Sequence, residues 1–307
     1  MQIQIKNETD QLRTVVLGIA KDLGNKPLLN EVFDAKSYES VQEDIYPDES
    51  DLIEEMAQFE SVLLKHGVEV WRPENLPNVN QVFARDIGFV IENTFFLSSI
   101  IPDRLEEQNA ISFIQESLQP EQFIRVPENL YVEGGDVLVW NDYLFVGTYL
   151  GEDFKSYKTA RTKFEIVDYL QQFFPNKKIV GFDLHKNDTD PRVGILHLDC
   201  TFQPVGKDKA IIYKEGFRDP AQYQLLVDLF GEENLFHVTQ EEMYWMNPNV
   251  FSISPNVVVS ERNFTRLNTH MREQWQIQVE EIAYREVSKM GGLLRCSTLP
   301  LYRNNEI

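Results

Sequence analysis

The sequence predicts an α/β fold in which a β-hairpin followed by a helix repeats around a closed ring. Three observations carry this expectation. Pairs of short apolar runs flank a polar turn at four places, helical stretches follow most of those pairs, and the pairs recur at roughly 50–65 residues. No Ser/Gly-rich linker interrupts the pattern, so residues 1–307 are expected to form one catalytic domain.

Taken in order, Leu12 to Gly18 reads as an opening strand that stops at glycine. Residues 21–50 are rich in Asn, Asp, Pro and Lys without clear periodicity, which predicts a long loop that covers something. Asp51 can cap a helix whose Leu52, Met56, Phe59, Leu63 and Leu64 share a face; Gly67 ends it, and Val68 to Trp71 begins a strand. The hairpins follow: 89–91 with 95–97, 137–140 with 144–146, 201–205 with 210–213, and 250–253 with 257–259. Helical stretches are expected over 112–118, 160–174, 221–230 and 267–287. The opening strand and a last strand from Leu299 would complete the ring.

Composition narrows the function. The chain has 307 residues, of which 42 % are hydrophobic, enough for a large core. Its 29 Lys+Arg against 49 Asp+Glu leave a net charge of −20. Such a field repels nucleic acid and anionic membranes and attracts small cations. Two cysteines cannot build a disulfide framework, and Met1 to Lys6 lacks the apolar run of a signal peptide. A cytoplasmic protein is the expectation, and nothing in the composition opposes a homo-oligomer.

The chemistry-bearing residues sit at equivalent places. Asp86, then Glu133 with Asp136, then His197 with Asp199 each lie just before a hairpin. Near the C-terminus, Gly291-Gly292-Leu293-Leu294-Arg295-Cys296 places one of the two thiols on a tight turn before the last strand. In a ring these entry positions converge on the hub. A thiolate there could attack an electrophilic carbon, a His could move protons, and a carboxylate could orient that His. Two further Asp would grip a planar cationic group such as a guanidinium.

Ala84-Arg85-Asp86, Glu133-Gly134-Gly135-Asp136, His197-Leu198-Asp199 and the Cys296 stretch together resemble, in order, the guanidine-modifying enzymes of the pentein superfamily. That superfamily includes arginine deiminase, dimethylarginine dimethylaminohydrolase and the glycine-type amidinotransferases. The resemblance spans about Leu12 to Arg303 and implies a five-bladed α/β propeller. It also implies Cys296 as nucleophile, His197 as general acid/base, Glu133 as the carboxylate paired with that His, and Asp86 and Asp199 as the guanidinium-binding pair. The Gly-Leu-Leu approach to Cys296 is closer to the dimethylarginine hydrolases than to the deiminases, which have a shorter approach. Arg104, Arg161 and Arg295 are the candidates for binding a substrate carboxylate.

The leading expectation is therefore an arginine deiminase-like hydrolase acting on arginine or a related guanidine, with no metal or organic cofactor. An amidinotransferase shares the first half-reaction, with an amine replacing water in the second. The Glu at position 133 leans towards the hydrolase. A non-catalytic scaffold of the same fold would tolerate loss of the nucleophile or base, and here all five expected residues are present.

Overall fold

A computed structural model describes residues 1–304. Its fifteen strands form five separate three-stranded sheets, each built the same way. Two strands pair antiparallel, as a hairpin in four of the sheets; the chain leaves through a helical segment and returns as a third strand parallel to the middle one. The antiparallel pairs are Gly88–Ile91 with Thr94–Leu97, Val137–Trp140 with Tyr143–Thr148, Phe202–Val205 with Lys209–Ile212, and Phe251–Ser254 with Val257–Glu261. The returning strands are Phe123–Arg125, Lys178–Asp183, Leu235–His237 and Gln278–Ile282.

The fifth sheet closes the ring. The C-terminal strand Thr298–Asn304 pairs antiparallel with Gln11–Leu17, which in turn pairs parallel with Glu69–Trp71. Arg303 fastens this seam from within: it is buried and donates to the carbonyls of Asp10 and Ser252, at 2.7 and 2.8 Å. The architecture is thus the five-bladed α/β propeller that the repeat and the resemblance predict.

Hairpin strands are buried along nearly their whole length, which is why they read as continuous apolar runs rather than alternating ones. The helix Glu49–Lys65 lays Leu52, Met56, Phe59 and Leu63 into the core, with Phe59 edge-on to Phe251 and Tyr284. Three stretches depart from the sequence expectation. The loop 21–50 contains a helix, Ala35–Gln42, capped by the Asp34 side chain on the Ser37 amide. Its buried side includes Lys36, Ser37 and Ser40, so no apolar stripe announces it.

The helix expected over 160–174 begins only at Ile166, because Arg161 and Thr162 turn inward, and the Thr162 hydroxyl accepts from the Glu133 amide. The long helix expected over 267–287 breaks into Thr265–Glu273, the returning strand Gln278–Ile282 and a short helix Arg285–Ser288. Ring closure explains that break: every blade needs a third strand, and register with Val257–Glu261 takes precedence over helix propensity.

Candidate active site

Each blade's first strand is entered through a tight turn, and the five turns meet at the hub. They carry Asp86, then Glu133 and Asp136, then His197 and Asp199, then Asn249, then Arg295 and Cys296. These residues are buried, from 0 to 3 % exposed. Close approach of the turns requires glycine. A Cβ at Gly135 would sit 2.6 Å from His197 Nδ1, so the imidazole rests directly on bare backbone. Gly291 adopts φ 87° and faces the Asp34 carboxylate, where a Cβ would come within 2.3 Å of Oδ1.

His197 and Glu133 form the centre. His197 Nε2 lies 2.9 Å from Glu133 Oε2, and its Nδ1 lies 3.6 Å from Asp86 Oδ1. Neither Nδ1 nor that oxygen has a hydrogen-bond partner, so both are left available to a bound molecule. Burial works against the imidazolium, but Asp86, Asp136 and Glu133 outweigh it and push the His197 pKa up to about 9. Asp136 also holds the turn itself, its Oδ1 accepting from the Leu198 amide at 2.8 Å. Burial would raise the Glu133 carboxyl, yet Arg161 and Arg104, with His197, drive it far below the usual range.

Arg161 Nη1 reaches both Glu133 oxygens at 2.9 Å, and its Nη2 donates to the Phe33 carbonyl in the 21–50 segment. Arg104 Nη1 bridges Asp86 Oδ2 and Glu133 Oε2, while its other nitrogens grip Glu107. Arg104 is delivered by the 3₁₀ segment Pro102–Ile111.

Cys296 sits beside a second ion cluster. Its Sγ lies 3.8 Å from Asp199 Oδ2 and 3.3 Å from Asn249 Nδ2. Burial pushes the thiol up, and Asp199, Cys200 and Asp86 push it further. The other thiol, Cys200, is also buried and lies 3.6 Å from Asp199 Oδ1.

A cavity of about 440 Å³ opens onto this hub. Asp86, Arg104, Arg161 and Cys296 line it, and Phe33, Asp34 and Leu52 supply part of its other side. The 21–50 segment therefore covers a cavity, as its composition suggested. Further out the wall carries four acids, Glu31, Asp48, Asp103 and Glu106, against Lys26, which pairs with Asp48. Glu133, His197 and Asp199 lie behind the wall with no exposed surface.

Arg295 corrects an expectation. As a candidate for a substrate carboxylate it would need to face the cavity, but it is fully buried and fully engaged. Its Nη1 pairs with Asp199 at 2.8 Å, its Nε and Nη2 with Glu8, and Nη2 also with the Val137 carbonyl. Burial would raise Glu8, but Arg295 and Arg85 hold it down at about 2. Arg295 is thus the counter-ion of Glu8 and Asp199. Glu8 and Glu107 escaped sequence reading because they precede no hairpin. Asn249 was findable: Met246-Asn247-Pro248-Asn249 sits just before the 251–254 hairpin, where the other blades carry their site residues.

Asp86, Glu133 and His197 present potential metal-ligand atoms within 4.8 Å of one another. Arg104, Arg161 and an imidazole biased towards its cation already neutralise these carboxylates, so a metal ion would have to displace them.

Comparison with known proteins places the chain. Residues 30–303 match the family model described as N,N dimethylarginine dimethylhydrolase, eukaryotic. An uncharacterized Bacillus subtilis protein, YkgA, is 31 % identical over 245 residues, covering 78 % of this chain and 77 % of its own. Among solved structures, the N-terminal domain of the cyanobacterial arginine dihydrolase ArgZ, with substrate bound, superposes with a TM-score of 0.78 at 15 % identity. That match covers 95 % of this chain and 99 % of that one. The inosamine-phosphate amidinotransferase StrB1 of Streptomyces griseus gives 0.75 at 16 % identity, covering 99 % and 98 %. In AgrE, solved with ornithine and NAD+, the match covers 95 % of this chain and 39 % of that longer one, at TM-score 0.78 and 17 % identity. The chain belongs to the dimethylarginine dimethylhydrolase family of the pentein superfamily of guanidine-modifying enzymes.

Proposed function

We propose that residues 1–307 act as one catalytic unit, a cytoplasmic hydrolase of arginine or a related small cationic guanidine. One observation carries the reading: Cys296 and Asp86 face the same cavity, with the His197–Glu133 pair directly behind Asp86. The acidic outer wall and the net charge of −20 favour a cationic substrate.

Asp86 Oδ1, without a partner, is the acceptor for the substrate guanidinium, with Asp199 as the second carboxylate beside the thiol. A bound cation between these groups reverses the field that keeps Cys296 protonated, and the thiol gives up its proton to solvent through the cavity as substrate enters. The thiolate attacks the guanidinium carbon. His197, held by Glu133 through Nε2, uses Nδ1 to protonate the departing amine, leaving an S-alkyl-thiouronium on Cys296. Water then adds to that carbon as Nδ1 takes its proton, and collapse releases the ureido product and the thiolate. Arg104 and Arg161 differ from Arg295 in lining the cavity. Glu107, Asp86, Glu133 and backbone carbonyls already hold their nitrogens, so either would have to exchange one of these partners to meet a substrate carboxylate.

An amidinotransferase would use the same first half-reaction and admit an amine instead of water. Incubation with a panel of guanidines, with and without primary amines, followed by mass spectrometry of the products separates the two. Ureido products in the absence of amine support the hydrolase. Amidino transfer to the amine overturns that choice, and no product from any guanidine overturns the reading itself.

A further inference from the structure

Asn249 belongs to none of the four motifs, yet its carboxamide touches the nucleophile turn at three points. Its Oδ1 accepts from two successive backbone amides, Arg295 at 3.0 Å and Cys296 at 3.2 Å. Those two donors fix the orientation of the group, because only the oxygen can accept from N–H. The nitrogen must then lie on the opposite side. There Nδ2 points at Cys296 Sγ, 3.3 Å away, and at the Asp199 carbonyl, 3.4 Å away. Asn249 is 0 % exposed, so bulk solvent does not reach these bonds.

We propose that Asn249 is the hydrogen-bond donor that stabilises the Cys296 thiolate and the clamp that sets the position of its sulfur. The assignment rests on Cys296 being the nucleophile. Two groups flank the sulfur with opposite preferences. Asp199 Oδ2, at 3.8 Å, can accept from a thiol but repels a thiolate. The Asn249 N–H does the reverse: it is a weak partner for a neutral thiol and a strong one for an anionic sulfur. As the guanidinium binds at Asp86, the Cys296 proton passes to solvent through the cavity that the thiol lines, and the sulfur's hydrogen bonding passes from Asp199 to Asn249. No rearrangement of the turn is needed, because Oδ1 already holds the two successive amides of Arg295 and Cys296.

The blade geometry explains why this residue can do it. Asn249 occupies the strand-entry turn of the 251–254 hairpin, the place that carries Asp86, Glu133 and His197 in other blades. A neutral donor at this fifth position adds no further negative charge beside a sulfur that must become an anion.

The test separates support from activation. Asn249→Asp keeps an oxygen for the two amides and removes the donor but adds a negative charge. It is therefore paired with Asn249→Leu, which removes the donor without a charge and must show the same direction of shift. Peptide-resolved alkylation by iodoacetamide across pH, read separately for Cys296 and Cys200, reports the thiol titration without any substrate. The expected result is a Cys296 titration shifted up by about one pH unit or more, a roughly tenfold slower alkylation at pH 8, and an unchanged Cys200 profile. An unchanged Cys296 profile in either folded variant overturns the proposal.

If the variants fail to fold, the wild-type protein carries the test. With ¹⁵N-asparagine labelling, one side-chain carboxamide should titrate together with the Cys296 alkylation curve and lose that titration in Cys296→Ala. Absence of any such carboxamide overturns the proposal equally. Neither measurement uses turnover, so loss of the hydrolase reading through an active Cys296→Ala is a distinct outcome.

Discussion

The buried imidazole at the hub makes stability depend on pH in a window set by His197. Its folded pKa of about 9 lies above the ordinary value of 6.5. A group raised in this way stabilises the fold fully below its unfolded pKa and loses that contribution as pH climbs through the folded one. The gap between 6.5 and about 9 corresponds to at most about 3 kcal/mol, and His197 has no exposed surface to screen it. The perturbation is His197→Gln, which keeps a polar side chain but cannot take up a proton. Urea unfolding of both proteins at pH 6, 7.5 and 9.5 isolates this residue, because other titrating groups cancel in the difference. The wild type should lose up to about 3 kcal/mol more than the variant between pH 6 and 9.5. Parallel losses would mean that Glu133, Asp86 and Asp136 do not hold a proton on His197, and the assignment of a ready general acid would fail.

Other consequences follow from the same geometry. Cys296→Ala should abolish turnover with little change in unfolding temperature, whereas Cys200→Ala should stay active; equal turnover by the two proteins would remove the nucleophile assignment. Asp86→Asn should cost on the order of 10²-fold in kcat/KM, the scale of a lost charge-assisted bond. Asp199→Asn should cost a similar factor and also destabilise the fold, since it takes one partner from buried Arg295; normal turnover by either Asn variant would count against guanidinium binding there. Glu8→Gln should lower unfolding free energy by about 3–5 kcal/mol, because it breaks a buried pair and leaves Arg295 undercompensated. A loss below about 1 kcal/mol would place the support of Arg295 elsewhere.

Much of this architecture is legible in the sequence, for a physical reason. Hairpin strands buried on both faces read as apolar runs, and polar residues at their entrances stand out against them. That contrast marks Asp86, Glu133, His197 and Asp199 before any coordinates are known. The returning strands are harder to see: Gln278–Ile282 carries two glutamates, and only the partner strand makes it a strand. The orientation of a cation is equally hidden. Arg295 neighbours Cys296 in sequence, but alternation across the turn sends its side chain to Glu8, a residue 287 positions away. Arg104 and Arg161 come from irregular segments whose path is set by the carboxylates they neutralise, so local pattern says nothing of it.

Covalent catalysis at Cys296 is tested most directly by rapid-quench mass spectrometry of the wild-type protein during turnover of a guanidine. Acid quenching should trap an amidino adduct on the peptide containing Cys296, appearing before the ureido product and decaying as substrate is exhausted. Product formed at full rate with Cys296 unmodified at every quench time would contradict the account.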